Sequence, residues 1–304
     1  MAPCSGWTSY RPADTLPTMS TVYRHARGER TVRQWCTSAL ARANFPLHRA
    51  TLDSSVGSVH LTSAGTGRPP VVLVPGTGFN AAVALPWLRA LSAHWATTVV
   101  DLPGQPGLSD PRRPRRDRLA WYGRVLDEIL AVMGVDEVVL VGNSLGAAVA
   151  LAASSPRIAA RVLVSPAGFV RLTVDREMAL ASTLWLLRPT VEHTNRMLRL
   201  FVAPGEEPPD SEVEWMTLMA TCCRTTLAPS PLSVDLLASR AQDPCVVGVG
   251  EHDRFLPPHR LSPAVRRLMN LEVRVLPGVG HLATSAHLEK VVALVAEVAP
   301  LSPS

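Results

Sequence analysis

Short runs of apolar, mostly β-branched residues recur along the chain and alternate with longer segments whose apolar positions have helical spacing. Each short run is bounded by Gly, Pro or polar residues, which is typical of strands buried on both faces. Strands that alternate with helices predict an α/β fold with a mostly parallel twisted sheet and helices on both of its faces. The predicted strands are residues 70–74, 97–100, 138–141, 161–164, 245–249 and 272–276.

The sequence also predicts an antiparallel strand pair and the helices that accompany the sheet. Residues 48–54 and 58–64 predict an antiparallel strand pair that turns at Gly57, because Gly tolerates the backbone of a tight turn. Apolar residues at helical spacing predict helices at about residues 22–45, 87–92, 119–133 and 288–298.

The hydrophobic pattern changes over residues 171–240, where strand-like runs disappear and Trp, Met, Leu and Phe recur at helical spacings. We expect this segment to be a helical cap that is inserted between two strands of the sheet. The α/β core would then comprise residues 21–170 and 241–304. Residues 1–20 are rich in Pro, Ser and Thr and lack periodicity, so we expect a disordered tail there.

The composition is that of an ordinary globular enzyme, with 47% apolar and 18% charged residues. No apolar run approaches the ~20 residues that a bilayer-spanning helix needs, and the first residues lack the apolar core of a secretory signal. We therefore expect a cytoplasmic protein that does not bind membranes. The five cysteines have no metal-ligand spacing, and we expect neither a metal nor a cofactor.

The net charge of +5 raises the question of a polyanionic partner. The basic residues are scattered and no aromatic ladder accompanies them, so we expect no nucleic-acid binding. One cluster of arginines at residues 112–118 is interrupted by prolines, and we expect it to form a solvated loop. The partner that remains is a small-molecule substrate.

The predicted strand at 138–141 runs through the motif GNSLG at 142–146 directly into an Ala-rich segment that predicts a helix. A strand, a G-x-S-x-G turn and a helix form the nucleophile elbow, in which a serine hydroxyl is exposed on a strained turn. Gly142 and Gly146 lack a Cβ, so the strand and the helix can approach closely enough for the sharp bend. We therefore predict Ser144 as the catalytic nucleophile.

A nucleophilic serine needs a base, and the base needs an orienting acid; after a nucleophile elbow they follow in the order Ser, acid, His. Asp253 and His281 each follow one of the last two predicted strands, so both are expected at the carboxyl edge of the sheet. We predict Asp253 as the acid and His281 as the base. Glu251 is the competing acid, and His252 and His287 are the competing bases.

The tetrahedral intermediate of acyl transfer needs hydrogen-bond donors for its oxyanion. One predicted donor is the backbone N–H of Leu145, which directly follows the nucleophile. The second is expected in the loop after the strand at 70–74, at Gly76-Thr77-Gly78, where the glycines leave the backbone accessible. We predict the Thr77 N–H as this second donor.

A resemblance to a known family rests on VPGTGF at 74–79, DLPG at 101–104, GNSLG at 142–146, GEHD at 250–253 and GVGH at 278–281. Together these segments resemble the α/β-hydrolase superfamily, and the chain is similar to its lidded bacterial carboxylesterases. The resemblance covers about residues 20–299 and is specific for the fold and the triad, not for the substrate. The chain departs from it at Pro75, where family members usually have His. Proline lacks an N–H, so we expect a different supporting network behind the oxyanion hole.

The resemblance implies a serine hydrolase, carboxylesterase-like, that acts on an ester, a thioester or a lactone. The apolar residues of the predicted cap favour a medium-sized, mostly apolar substrate. The same triad also serves carbon–carbon hydrolysis, or elimination and cyclisation in secondary metabolism, and these are alternatives. A ligand-binding protein with weak turnover is a third alternative, although a complete triad argues against it.

Overall fold

The central sheet forms where the sequence has its β-branched runs. The computed structural model describes residues 18–224 and 229–300. The strands are β1 (Met19–Thr21), β2 (His48–Ser54), β3 (Gly57–Ala64), β4 (Val71–Val74), β5 (Thr97–Val100), β6 (Arg112–Pro114), β7 (Val138–Asn143), β8 (Ile158–Val164), β9 (Cys245–Gly250) and β10 (Val273–Leu276). Among the described residues, eight of them form the main sheet in the order β10-β9-β8-β7-β4-β5-β3-β2, and β1 pairs with β6.

Strands β10, β9, β8, β7, β4 and β5 run parallel, and antiparallel β3 and β2 extend the sheet at one side. This arrangement confirms the predicted mostly parallel sheet and the predicted strand pair that turns at Gly57. The carboxyl ends of β4, β7, β9 and β10 therefore meet at one edge, and the loops that carry the predicted site residues begin there.

Helices cover both faces of this sheet, as the alternation of elements predicts. They are α1 (Ala26–Ala41), α2 (Leu85–Ser92), α3 (Arg118–Val132), α4 (Leu145–Ala152), α5 (Arg176–Leu187), α6 (Val191–Leu198), α7 (Asp210–Cys222), α8 (Val234–Ser239), α9 (Pro258–Met269) and α10 (Leu288–Ala296). Helices α2 and α10 pack against the face that carries Leu73 and Val141, whereas α3, α4 and α9 pack against the face with Val72 and Leu140. Because successive strand residues point to opposite faces, every position of the central strand β4 is buried.

The chain between β8 and β9 is helical, and we refer to residues 171–240 as the cap segment. It contains α5, α6, α7 and α8. The buried side chains of α5, α6 and α7 join the same apolar cluster as those of α1 and α2. That this segment acts as a cap over the site stays a prediction.

Residues 18–24, the N-terminal strap, tie the end of α7 to the body of the fold. Strand β1 pairs antiparallel with β6. The Arg24 N–H donates to the Cys222 carbonyl at 2.9 Å, and the Tyr23 hydroxyl donates to the Gly107 carbonyl at 3.1 Å. The strap therefore connects the cap segment to the loop that follows β5.

Two predictions about the surface need correction. The predicted tail of residues 1–20 is wrong at its end, because β1 begins at Met19 and pairs with β6; residues 1–17 lie outside the described residues. The arginine cluster is not a wholly solvated loop, because Arg113 is only 3% exposed. Its guanidinium donates to the Gly104 carbonyl at 2.9 Å, so it fastens β6 to the loop after β5.

Two helices differ from their predictions. Helix α1 begins at Ala26, later than the expected 22, because the strap residues before it are extended and bond to α7. The apolar pattern does not predict α9, since Pro258 and Pro263 lie within it and proline usually interrupts a helix. Pro258 stands in the first turn, where the missing N–H costs no hydrogen bond. In the described parts of the chain, none of the helices has both the length and the apolar character needed to cross a bilayer.

Candidate active site

The turn at Ser144 between β7 and α4 is strained in a way that exposes the serine hydroxyl. Ser144 has φ 50° and ψ −110°, a region that residues with a side chain rarely occupy. A Cβ at Gly146 would lie 1.8 Å from the Val74 carbonyl oxygen, and one at Gly142 would lie 2.5 Å from the Cα of Ala147. Only glycine at these two positions therefore allows α4 to approach β4 and β7 so closely.

Three side chains from three loops form a continuous hydrogen-bonded chain at the carboxyl edge of the sheet. Ser144 Oγ lies 3.2 Å from His281 Nε2, and His281 Nδ1 lies 2.8 Å from Asp253 Oδ2. The structure thus brings together the predicted nucleophile, base and acid. With its Nδ1–H directed at a carboxylate, the imidazole has the Nε2 lone pair available for the serine proton.

Asp253 is 1% exposed, and its surroundings keep it ionised. Burial alone would raise its pKa, but the charge and hydrogen bond of His281, together with donors from Leu256 and Ser165, hold the pKa of this carboxyl below its ordinary value. Its Oδ1 accepts from the N–H groups of Phe255 and Leu256, each at 2.9 Å. An ionised carboxylate can only accept, so the proton of the pair resides on His281 Nδ1.

The competing acid and bases have other partners. Glu251 Oε2 accepts from the Gly278 N–H at 2.9 Å and lies 3.7 Å from His252 Nε2. His287 stands at the start of α10, where its Nε2 lies 2.6 Å from Glu206 Oε1. Among the described residues, none of the three competing side chains forms a hydrogen bond with the Ser–His–Asp chain.

Aromatic rings hold the imidazole of His281 in place. The Phe255 ring packs against it with centroids 4.9 Å apart, and the Phe201 ring of the cap segment packs edge-on against Phe255 at 4.6 Å. The Leu282 N–H donates to the Phe201 carbonyl at 2.7 Å, and a Cβ at Gly280 would lie 2.4 Å from that carbonyl oxygen. The cap segment therefore contacts the loop that carries the predicted base.

The loop after β4 forms a tight turn beside Ser144. The Phe79 N–H donates to the Gly76 carbonyl at 3.0 Å, and Gly78 has φ 75°. Thr77 is not among the residues with positive φ. A hydrogen bond from the fourth residue to the first, with negative φ at the second residue and positive φ at the third, defines a type II turn. Thr77 is the second residue of this turn and lines the same cavity as Ser144.

Leu145 begins α4 directly after Ser144, so its N–H is one of the N-terminal amides that have no partner within the helix. Both predicted oxyanion donors, Leu145 and Thr77, therefore belong to backbone that borders the nucleophile. That they stabilise an oxyanion stays a prediction.

Two polar contacts that the sequence pattern does not signal hold the turn at Thr77. Gln105, in the loop after β5, accepts from the Gly78 N–H at 2.9 Å, and its Nε2–H donates to the Tyr122 hydroxyl at 2.6 Å. From α7, the Trp215 Nε1–H donates to the Gly78 carbonyl at 3.0 Å. These contacts join residues far apart in the chain, so local periodicity contains no trace of them.

Asp101 lies buried behind the same turn and holds two loops together. Its Oδ1 accepts from the Ala81 N–H at 2.7 Å, and its Oδ2 accepts from the Leu108 N–H at 3.0 Å. Burial raises the pKa of Asp101 to about 6, although the two hydrogen bonds oppose this. His60 Nδ1 lies 3.8 Å from Asp101 Oδ2, and burial lowers the pKa of His60 to about 4, so this histidine is neutral at pH 7.

A cavity of about 260 Å³ is lined by Ser144, by His281 and by residues of the cap segment. Among the described residues that line it, Arg224 is the only Arg, Lys, Asp or Glu side chain. The strap contributes Val22 to the wall. The cap segment supplies most of the apolar lining, including Trp185, Leu186, Met197, Phe201, Met216 and Met219.

Within residues 18–224 and 229–300, no group of three or more His, Cys, Asp or Glu side chains is arranged to bind a metal. Cys36, Cys222, Cys223 and Cys245 are free thiols. Burial raises the pKa of Cys223, which lines the cavity, to about 12, so its thiol is protonated at neutral pH.

Known proteins similar to this chain share its fold and part of its sequence. The family model described as the alpha/beta hydrolase family matches residues 71–297. The chain is 29% identical over 255 residues to a 2-hydroxy-6-oxononadienedioate/2-hydroxy-6-oxononatrienedioate hydrolase of Paraburkholderia phymatum, which covers 76% of this chain and 87% of that protein. A Pseudomonas putida hydrolase of the same name is 26% identical over the same shares.

Among solved structures, a carboxylesterase of Bacillus subtilis superposes with a TM-score of 0.74, covers 90% of this chain and 98% of its own, and is 17% identical. The naproxen esterase of Bacillus subtilis superposes with a TM-score of 0.70, covers 87% and 95%, and is 18% identical. At these identities the likeness shows a shared fold.

Proposed function

The chain belongs to the alpha/beta hydrolase family, and on that premise we propose that it is a serine hydrolase that cleaves an ester, a thioester or a lactone through an acyl-enzyme. The observation that carries the proposal is the hydrogen-bonded chain from Ser144 Oγ through the imidazole of His281 to the buried carboxylate of Asp253. Such a chain converts a weakly nucleophilic hydroxyl into an effective one, because the proton has an acceptor in place when the hydroxyl attacks.

In acylation, Ser144 Oγ attacks the carbonyl carbon while its proton passes to His281 Nε2. The imidazolium that forms is stabilised by Asp253, 2.8 Å from the other ring nitrogen. The carbonyl oxygen becomes an oxyanion, for which the N–H groups of Thr77 and Leu145 are the proposed donors. The imidazolium then protonates the leaving oxygen or sulfur, and the acyl group stays on the serine.

In deacylation, water attacks the acyl-enzyme and gives its proton to His281 Nε2, which returns it to Ser144 Oγ as the acid departs. Each step moves one proton over one hydrogen bond, so the same three side chains serve both halves of the reaction. The aromatic contacts of Phe255 and Phe201 around His281 limit rotation of the ring between the two halves.

The cavity supports a medium-sized, mostly apolar acyl or alcohol group. We propose that the cap segment, residues 171–240, forms its roof, because this segment supplies most of the apolar lining of the cavity. Each methylene that enters such a cavity adds up to ~0.8 kcal/mol of binding until the space is full. The value of kcat/KM should therefore rise with chain length before it levels off.

Carbon–carbon hydrolysis is the second candidate. The relatives from Paraburkholderia phymatum and Pseudomonas putida are named as hydrolases of a dioate, and Arg224 gives this cavity a cation that a carboxylate could approach. We place this candidate second because the rest of the described lining offers no further cation.

Labelling with a fluorophosphonate and a panel of p-nitrophenyl esters from acetate to decanoate test the proposal. We expect wild-type protein to be labelled, Ser144→Ala to be unlabelled, and ester hydrolysis by that variant to fall by ~10⁴–10⁶ with the fold intact. More than a few per cent of residual activity in a clean preparation contradicts the nucleophile. A profile that is flat or falls from acetate onward contradicts the apolar roof, and cleavage of a ring-fission dienoate without ester turnover favours the second candidate.

A further inference from the structure

The peptide groups on both sides of Gly78 are held by side chains from different parts of the molecule. The Gly78 N–H donates to Gln105 Oε1 at 2.9 Å, and the Gly78 carbonyl accepts from Trp215 Nε1 at 3.0 Å. Gln105 comes from the loop after β5 in the core, whereas Trp215 comes from α7 in the cap segment. Both side chains are buried, so neither contact is exchanged readily with water.

These contacts fix a turn whose second residue is Thr77. A type II turn and a type I turn differ by rotation of the central peptide group, here the one between Thr77 and Gly78. Rotation would take the Gly78 N–H away from Gln105, which therefore selects one of the two states. In a trans peptide the N–H points opposite to the carbonyl. Because the Gly76 carbonyl points into the turn toward the Phe79 N–H, the Thr77 N–H points out of it.

The side chain of Gln105 is itself oriented by a second contact. Its Nε2–H donates to the Tyr122 hydroxyl at 2.6 Å, so the amide oxygen is left facing Gly78. Pro75 has no N–H with which to brace the loop from within. Gln105 and Trp215 therefore add support from outside the loop to its own hydrogen bond between Phe79 and Gly76.

The cap side of the contact is equally specific. Met219, one helical turn after Trp215 on α7, has its sulfur 2.4 Å from where a Cβ of Gly78 would stand. Glycine at 78 thus lets α7 approach the turn closely enough for the Trp215 hydrogen bond. The indole of Trp215 is fully buried and packs on Trp35, with ring centroids 4.9 Å apart.

From this geometry we propose that Gln105 and Trp215 are positioning residues that hold the turn in place beside Ser144, and with it the Thr77 N–H, whose direction the Gly76–Phe79 hydrogen bond fixes. The oxyanion hole is then complete only when α7 of the cap segment is docked. The inference rests on the proposed function, since it assigns how one donor of that same site is held. Neither residue touches the reacting atoms. Both act through the backbone of the turn.

The chain offers a matched control. Trp35 and Trp215 stack on each other, but among the described residues the Trp35 Nε1–H has no hydrogen-bond partner. Trp215→Phe removes an indole and a hydrogen bond to the turn, whereas Trp35→Phe removes an indole of the same cluster and no hydrogen bond. For Gln105, the variant Gln105→Met keeps the length of the side chain and loses the acceptor, while Gln105→Glu keeps an acceptor.

Four readouts are measured for each variant: kcat, KM, the inhibition constant of a trifluoromethyl ketone whose hydrate or adduct occupies the oxyanion hole, and the rate of fluorophosphonate labelling. Loss of a whole oxyanion donor costs about 10²–10³ in kcat. For a displaced donor we expect Gln105→Met and Trp215→Phe to lower kcat by about tenfold to a hundredfold, with KM changed less than about threefold. In these two variants the affinity for the ketone should fall by the same factor as kcat/KM. Gln105→Glu should have most of the wild-type kcat, and Trp35→Phe should have the wild-type kcat.

A purely structural role would lower the melting temperature and leave the kcat and the ketone affinity of the folded protein unchanged. That result for Gln105→Met, or equal kcat values for Trp215→Phe and Trp35→Phe, overturns the inference. If Trp215→Phe does not fold, the comparison of Gln105→Met with Gln105→Glu decides alone. Absence of labelling in wild-type protein overturns the proposed function together with the inference, whereas labelling of wild type with unchanged rates in the variants overturns only the inference.

Discussion

Substitution of Gly146 by alanine tests the account of the elbow directly, because two physical effects oppose each other there. Gly146 is the second residue of α4. Within a helix, alanine normally stabilises relative to glycine by about 0.5–1 kcal/mol. A propensity argument alone therefore predicts that Gly146→Ala makes the protein more stable.

The packing at this position predicts the opposite sign. The added Cβ would lie 1.8 Å from the Val74 carbonyl oxygen and 2.7 Å from the Pro75 carbonyl oxygen, and both atoms are backbone. Because Cβ contacts under 3.0 Å are essentially never found, α4 has to move away from β4 by about 1.2 Å. Overpacking of a core by a methyl group costs about 1–3 kcal/mol, occasionally more, when flexible side chains absorb it. Here a helix has to move, so we expect the unfolding free energy to fall by about 3 kcal/mol or more.

Urea unfolding followed by tryptophan fluorescence measures this change, and thermal unfolding should show a fall of roughly 6–12 °C. Gly134→Ala is the matched control, since Gly134 has φ 67° but no atom within 4 Å of its added Cβ, and it should cost about 1 kcal/mol. Activity of Gly146→Ala should also fall by about 10² or more, because the nucleophile moves with α4. A Gly146→Ala protein as stable as wild type would refute the close approach of β4 and α4.

Two further predictions follow from the carboxylates. Asp253→Asn should lower kcat by about 10⁴, because an amide favours the wrong tautomer of His281, whereas Glu251→Gln should change kcat little. Measurement of kcat/KM on one ester compares the two variants, and the reverse order of their effects contradicts the assignment of the acid. Asp101 has a folded-state pKa of about 6, above its unfolded value, so its contribution to stability declines as pH rises from about 4 to 6 and is constant above that. Relative to wild type, Asp101→Asn should therefore gain about 2 kcal/mol of unfolding free energy between pH 4 and pH 7, as urea unfolding at both pH values would measure. An unchanged difference contradicts the raised pKa.

The sequence predicts those parts of the molecule whose cause is local. The strands of the parallel sheet follow from apolar runs, and the elbow follows from glycines that stand two residues on either side of Ser144. Asp253 and His281 could be placed because parallel strands deliver their following loops to one edge. The distance between them, 2.8 Å, then agrees with that placement.

What the sequence does not predict depends on contacts between distant segments. Arg113 belongs to a run of arginines that is typical of a solvated loop, yet its side chain is buried because β1 covers it and a carbonyl accepts from it. Gln105 looks like a loop residue and Trp215 like an apolar helix residue, and only the folded chain brings both to Gly78. Helix α9 is missed because its prolines outweigh its apolar spacing in a local reading.

The N-terminal strap has a consequence for recombination of this protein with its relatives. Arg24 Nε donates to the Cys223 carbonyl across 199 positions of the chain, so the end of α7 is anchored by residues that precede the whole core. A chimera that exchanges residues 171–240 alone would place a foreign α7 against the original strap, and it would keep these bonds only where the carbonyls at 222 and 223 stay in position, because both acceptors are backbone atoms. During synthesis, β6 and the loop after β5 leave the ribosome before α7 does, so the contacts of the strap with α7 are the last of its contacts that can form. Two separate pieces of the gene, the one that encodes the strap and the one that encodes the end of α7, thus code for parts that the fold joins into one unit.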